Sequence, residues 1–315
     1  MKLLAAFFRL IRWPNLVFIV ITQVLFYFSL VQPLFSKGIY TQFERINFLL
    51  LIAASVLIAA AGYIINDYFD LNIDLVNKPE KMVIDKVIKR RWAIVQHIVF
   101  SLAGIVISFY IDFNSKTFWI GFSNAFCVFL LFGYSITLKK KLIIGNVLIS
   151  ALTAWVILVV FFCYYNSLYC SSCDAVYFDA YNYRFIRISL LYAGFAFVIS
   201  LIREVVKDLE DMEGDARHQC KTIPIVWGIP ASKVFVAVWL IVLMGTLSIV
   251  QVYALQLGWF WSAVYCILLI IVPLLWILMN LFKAQVASDY HKLSSAIKYV
   301  MLAGILSILF FKIYS

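Results

Sequence analysis

Nine apolar runs, each about 20 residues long and separated by short polar turns, leave this chain one kind of fold. They fall at about 15–34, 46–66, 93–111, 117–137, 142–165, 185–204, 232–255, 259–282 and 298–314. A helix of about 20 apolar residues crosses the hydrocarbon core of a bilayer, where every backbone polar group must be bonded within the span. The expectation is an all-α, polytopic membrane protein with about nine transmembrane helices, forming one integral-membrane domain over 1–315. Composition agrees. Hydrophobic residues make up 65% of the chain and charged residues 13%, against about 45–50% and about 25% in soluble domains. No stretch remains for a large soluble domain. The six cysteines mostly lie inside apolar runs and read as packing residues, with Cys170-Ser171-Ser172-Cys173 in the 166–184 loop left as a possible small disulfide.

Residues 1–14 carry Leu3, Leu4, Phe7, Phe8 and Ile11 at helical spacing opposite Arg9 and Arg12. This is the pattern of a short interfacial helix; with no small-residue cleavage site behind it, it does not read as a signal peptide. Orientation follows from Lys and Arg, which are disfavoured in translocated loops. With the N-terminus cytoplasmic, the inside segments hold 20 of the 26 Lys and Arg residues and the outside segments six. The formal charge of +10 is largely this bias, so nucleic acid is not an expected partner. The expected location is the plasma (inner) membrane of a prokaryote, with no obligate protein partner evident.

Acidic residues carry the functional signal. Eleven of the 16 Asp and Glu residues sit in two short stretches. The first, Asn66 to Asp74, places Asp67, Asp70 and Asp74 at i, i+3, i+7, and the second repeats the spacing with Asp208, Asp211 and Asp215. That spacing predicts that each triplet lines one face of a helix. Both stretches end spans running in the same direction, the second and the sixth, which predicts two pseudo-repeated four-helix halves with the triplets face to face. Crowded carboxylates near lipid either take up protons or hold a cation. Oxygen-only ligands suit Mg²⁺ with substrate phosphates, whereas His97, His218 and His291 lie in unrelated segments and argue against zinc. Lys78, Arg203, Lys207 and Lys221 stand around the triplets as candidate clamps for phosphate oxygens. Glu80, Asp85, Glu204, Glu210 and Glu213 read as solvated rim.

These motifs are similar to those of a known family. Asn-Asp-x-x-Asp-x-x-x-Asp after the second span, and Lys-Asp-x-Glu-Asp-x-x-Gly-Asp followed by Lys-Thr-x-Pro after the sixth, resemble the UbiA superfamily of intramembrane prenyltransferases. The resemblance extends to Arg12-Trp13-Pro14-Asn15, to Asn77-Lys78-Pro79, and to Tyr134-Ser135 before Lys139-Lys140-Lys141. Within the superfamily, the Lys207–Pro224 stretch is most similar to the branch that attaches a second prenyl ether to a glycerol phosphate lipid. Gln219 departs from the pattern, which often has Gly there.

The resemblance implies Mg²⁺-dependent transfer from a prenyl diphosphate, geranylgeranyl in this branch, to a lipophilic acceptor at the cytoplasmic face. It implies that Asp67, Asp70 and Asp74 hold one Mg²⁺ and Asp208, Asp211 and Asp215 another. Asn66 would support the metals, while Lys78, Lys139, Arg203, Lys207 and Lys221 would meet the diphosphate. The allylic cation left by ionisation needs a site that excludes water, and Tyr134 is the aromatic residue assigned to face it. Asn15 and Ser135 are candidates for the acceptor headgroup. Three alternatives stay open: prenylation of an aromatic quinone precursor, a transporter for a phosphorylated anion, and a divalent-cation channel.

Overall fold

The computed structural model describes residues 2–35, 39–77, 79–170 and 175–314. Among these residues nine helices are long and apolar enough to cross a membrane: Trp13–Val31, Arg45–Phe69, Arg90–Ser115, Trp119–Ile136, Ile144–Tyr165, Tyr181–Glu210, Gly228–Gln256, Phe260–Lys283 and Ala287–Ile313. Each contains one of the predicted apolar runs, or all but a few end residues of it. The two largest differences lie where charge interrupts hydropathy but not helix. The sixth span continues to Glu210 rather than ending near 204, and the ninth begins at Ala287 rather than 298. A helix hydrogen-bonds its own backbone whether or not its side chains are apolar. The ninth is started by Asp289, whose carboxylate accepts the amide N–H groups of Gln285 at 3.2 Å and Val286 at 3.4 Å. In the eighth span, Pro273 follows a π-helical turn at Ile267–Ile271, which absorbs the amide that proline lacks.

Lys2–Leu10 forms the short N-terminal helix. Its apolar face is divided. Ala6, Leu10 and Ile11 are buried with Leu16, Ala60, Ile64 and Leu71, whereas Leu3, Leu4 and Phe8 face outward. Arg12 then adopts left-handed backbone, φ 51° and ψ 52°, and turns the chain into the first span with Pro14 in its opening turn, where a missing N–H costs nothing.

Spans two and three pack closely on each other, as do five and six, while the sixth also packs against the seventh and ninth. At the end remote from both motifs, strand β1 (Ile39–Thr41) pairs antiparallel with strand β2 (Leu168–Cys170). There the buried Asp112 carboxylate accepts the backbone N–H groups of Ile120 and Gly121 at the start of the fourth span, stabilising that helix end. Cys173 lies outside the described residues.

The expectation of one continuous helix face per triplet is corrected. The second span ends at Phe69, Asp70 sits at φ −89°, ψ 0°, and a separate short helix, Leu71–Asn77, carries Asp74. The second motif breaks at the same place: Glu210 ends the long helix, Asp211 sits at φ −97°, ψ 9°, and Met212–Arg217 carries Asp215. The chain bends at the middle aspartate of each triplet. The spans around the cavity described below do not divide evenly between the halves: spans one, two, four and five line it from the first part of the chain and only six and nine from the second.

Candidate active site

A cavity of about 650 Å³ opens among those six spans. All six triplet aspartates line it, together with Asn66, Lys139, Tyr134, Asn15, Arg203 and Lys207. Deeper in, the walls turn apolar and aromatic, with Phe18, Trp155, Phe195, Ile157 and Ile308. The two bent motifs are tied together by one side chain. Asn77 donates from Nδ2 to the Asp211 carbonyl at 2.9 Å and accepts the Gly214 N–H at its Oδ1 at 2.8 Å. Gly214 is required there because a Cβ would lie 2.5 Å from Asn77 Oδ1.

Partners of the carboxylates come from all around the bundle. Arg12 Nη2 donates to Asp67 Oδ1 at 2.6 Å, and its guanidinium also lies over the Tyr63 ring, 5.2 Å from the centroid. Asp67 beside it holds the Arg12 guanidinium above its already high ordinary pKa, so it stays charged at any working pH. Lys139 Nζ donates to Asp70 Oδ1, and Asn66 Nδ2 to Asp70 Oδ2 at 2.8 Å. At the second motif Asn146 Nδ2 donates to Asp208 Oδ2 at 2.8 Å. Cys220, at the cavity wall after the second motif, has its thiol pushed up to about 11, first by burial and then by Asp215.

The donor set fits a hard divalent cation. It is all oxygen, and Asn66 Oδ1 is buried at the cavity wall without a hydrogen-bond partner among the described residues, leaving a neutral acceptor for a metal. Among those residues no three carboxylate, His or Cys side chains already form a closed cage. Mg²⁺ does not need one, since it is usually held by one or two carboxylates with phosphate oxygens and water.

Several sequence assignments change place. Ser135 is buried, donates to the Leu131 carbonyl of its own helix at 2.9 Å, and does not line the cavity. Lys221 is exposed and also lies off the cavity wall; its backbone N–H bonds to the Lys140 carbonyl at 2.9 Å. Lys78 lies outside the described residues. Glu204 and Glu210, read as rim, line the cavity: Glu204 is buried and accepts from Arg203 at 3.1 Å and Lys207 at 3.2 Å, while Glu210 meets His291 at 2.9 Å. Glu80, Asp85 and Glu213 lie on the outside of the molecule, Asp85 paired with Arg90 and Glu213 with Arg217. Gln219 takes φ 57°, the left-handed conformation that suits glycine; the turn is kept despite the side chain.

Arg12, Asn77, Asn146 and Lys298 were not candidates in the sequence reading. Asn146 was visible as an amide inside an apolar run, and Lys298 was hidden because the ninth span was started at it. Both runs carry a polar group that lipid alone would not tolerate.

Comparison with known proteins identifies the family. Residues 13–305 match the model of the UbiA prenyltransferase family. The chain is similar to digeranylgeranylglyceryl phosphate synthase of Methanosphaera stadtmanae, 26% identical over 78% of this chain and 81% of that protein. It is likewise similar to the enzyme of that name from Saccharolobus solfataricus, 28% identical over 80% of each chain. Among solved structures, a digeranylgeranylglyceryl phosphate synthase superimposes with a TM-score of 0.60 at 22% identity, covering 98% of this chain and 99% of that one. A UbiA homologue from Archaeoglobus fulgidus bound to GPP and Mg²⁺ gives 0.57 at 14% identity, covering 96% and 99%.

Proposed function

This chain belongs to the UbiA prenyltransferase family, and from that premise we propose that it moves a geranylgeranyl group from its diphosphate to the hydroxyl of a glycerol phosphate prenyl ether. The observation that carries the reading is that both aspartate triplets face one cavity whose inner walls are apolar. The names of the Methanosphaera and Saccharolobus relatives favour the glycerol phosphate acceptor. The GPP and Mg²⁺ in the Archaeoglobus homologue favour a prenyl diphosphate donor with Mg²⁺ as cofactor.

Asp67, Asp70 and Asp74 would hold one Mg²⁺ and Asp208, Asp211 and Asp215 the other, with Asn66 Oδ1 as a neutral donor beside the first triplet. Bound there, Mg²⁺ neutralises the charge that gathers on the departing pyrophosphate. Lys139, beside Asp70, supplies a further cation to the site. Leaving-group departure creates an allylic cation, and the apolar wall of Phe18, Ile157 and Phe195 keeps water from trapping it as the alcohol. Tyr134 presents a ring to the cavity and stabilises positive charge without a nucleophile strong enough to consume it. His218 lies off the cavity wall with Nδ1 2.9 Å from the Gly214 carbonyl, and His291, on the cavity wall, meets Glu210 through Nδ1. We assign the acceptor's hydroxyl proton to a motif aspartate or to the departing pyrophosphate, the oxygen bases at the reacting centre.

The concentration of Lys and Arg in the predicted inside segments supports an active site at the cytoplasmic face of the plasma membrane. Membranes incubated with labelled geranylgeranyl diphosphate, Mg²⁺ and a mixture of geranylgeranylglyceryl phosphate, 4-hydroxybenzoate and dihydroxynaphthoate test the reaction. The prenylated glycerol phosphate should dominate by mass; preferential prenylation of either aromatic acid overturns the acceptor. Cysteines substituted at 216–222 should label only after permeabilisation, and labelling of intact cells overturns the cytoplasmic placement.

A further inference from the structure

The sixth and ninth spans run antiparallel, and three contacts fix their register. His291 meets Glu210 at 2.9 Å, a Cβ on Gly304 would lie 2.5 Å from Phe195, and Ser307 bonds to Tyr192 at 2.8 Å. Seven residues separate Glu210 from Arg203, and seven separate His291 from Lys298. At two helical turns each, Lys298 therefore stands across from Arg203, about 10 Å further into the bundle than the His291–Glu210 pair. Arg203, Lys207, Arg12 and Glu204 all lie close enough to act on its charge, and Lys298 and Arg203 both line the cavity.

Two donors at this level are unspent. Lys298 has no hydrogen bond or ion pair among the described residues, although an ammonium inside a span is costly unless it serves a partner or a ligand. Arg203 gives Nη1 to Glu204, and its Nε is buried with no partner among the described residues. An Nε–H beside a guanidinium NH₂ is the edge that receives a phosphate in bidentate fashion. Arg203 and Lys207 pair with Glu204, and Lys298 adds a cation that no carboxylate among the described residues meets, an excess of positive charge that suits a phosphate monoester. No metal is needed to balance it. Asp208 and Asp211, in contrast, stand one to two turns beyond Arg203 towards the end of the sixth span, and the triplets carry net negative charge, so an anion binds there only with divalent cations.

We propose that Lys298 and Arg203 form a second, metal-free anion site that holds the phosphate of the acceptor, separate from the diphosphate site at the aspartates. This rests on the acceptor assignment above, and it moves Arg203 and Lys207 from the diphosphate to the acceptor. Ser295, one turn before Lys298 and also on the cavity wall, adds a hydroxyl to the same site.

The test compares Lys298→Gln with wild type in three measurements: KM for geranylgeranylglyceryl phosphate, KM for geranylgeranyl diphosphate, and turnover of unphosphorylated geranylgeranylglycerol. The site predicts a rise of about tenfold or more in the first, the loss expected for one charged hydrogen bond. The second stays within about twofold, turnover of the neutral alcohol is unchanged, and Lys298→Arg restores most of the affinity. A rise in KM for the diphosphate, or an equal loss with the phosphorylated and neutral acceptors, overturns the site while leaving the acceptor reading standing. Wild type that prenylates no phosphorylated glycerol lipid overturns the acceptor reading and this site with it.

Discussion

At the first aspartate motif, Asp67 and Asp70 each meet a cation brought in from another element, Arg12 and Lys139. At the second, Asp208 meets the neutral amide of Asn146. The backbones are nearly alike, with a bend at the middle aspartate near φ −90° and ψ 0° in both. A repeated spacing thus encodes a repeated path, while charge compensation is set by whatever the fold places opposite. A carboxylate already paired to lysine or arginine binds a metal against a competitor, whereas one held by an amide gains from the metal outright. Asp208 would therefore meet a divalent ion with less competition than Asp67 or Asp70.

The comparison breaks most sharply if either motif can be dispensed with. Asp67→Ala and Asp208→Ala should each lower turnover about 10³-fold, as about 4 kcal/mol of stabilisation of the leaving charge is lost. Folding should survive both. Turnover near the wild-type level in EDTA, or in the double variant, would falsify the metal-assisted mechanism for both motifs.

A smaller effect is expected at the clip between them. Asn77→Ala removes two hydrogen bonds that join the motifs, worth together about 2 kcal/mol, so turnover should fall about 30-fold with a raised Mg²⁺ requirement. Gly214→Ala, which drives a methyl into Asn77, should behave in the same way. If Mg²⁺ dependence is unchanged in both variants, the motifs work independently and the clip is only structural.

The difference in partners is sharpened by a pair of neutralising changes. Lys139 occupies an Asp70 oxygen that a divalent ion held by the first triplet would also use. Lys139→Gln should lower the Mg²⁺ concentration for half-maximal activity a few-fold while also slowing turnover. Asn146→Ala should not lower it. Equal Mg²⁺ titrations in the two variants would show that the cation does not compete. Smallest of all, His218→Ala should keep activity within about twofold, since its ring meets the Gly214 carbonyl off the cavity wall; a tenfold loss would make His218 itself the base.

Nine spans, their order and the two aspartate triplets were legible in the chain because hydropathy and spacing are local properties that a helix reports directly. The boundaries failed only where local signals conflict. Arg203 and Glu204 stand at the end of the sixth apolar run, Lys207 beyond it and Lys298 at the start of the ninth, yet all four lie within continuous helices and line the cavity. Hydropathy marks where a side chain prefers water, not where the backbone stops hydrogen-bonding. Ser135 looked like an acceptor contact by position, but its hydroxyl is spent on its own helix.

What the sequence by itself determined is the solvent, the number of crossings and the residue types gathered at the two motifs. Which carboxylate meets Arg12, Lys139 or Asn146, how Asn77 reaches Asp211 and Gly214, 134 and 137 residues further along the chain, and which lysine stands opposite Arg203 were decided by tertiary packing alone. These pairings depend on how antiparallel helices register against one another. Register is set by contacts such as Gly304 against Phe195 and Tyr192 to Ser307, whose partners lie more than 100 residues apart and leave no periodic trace in either segment.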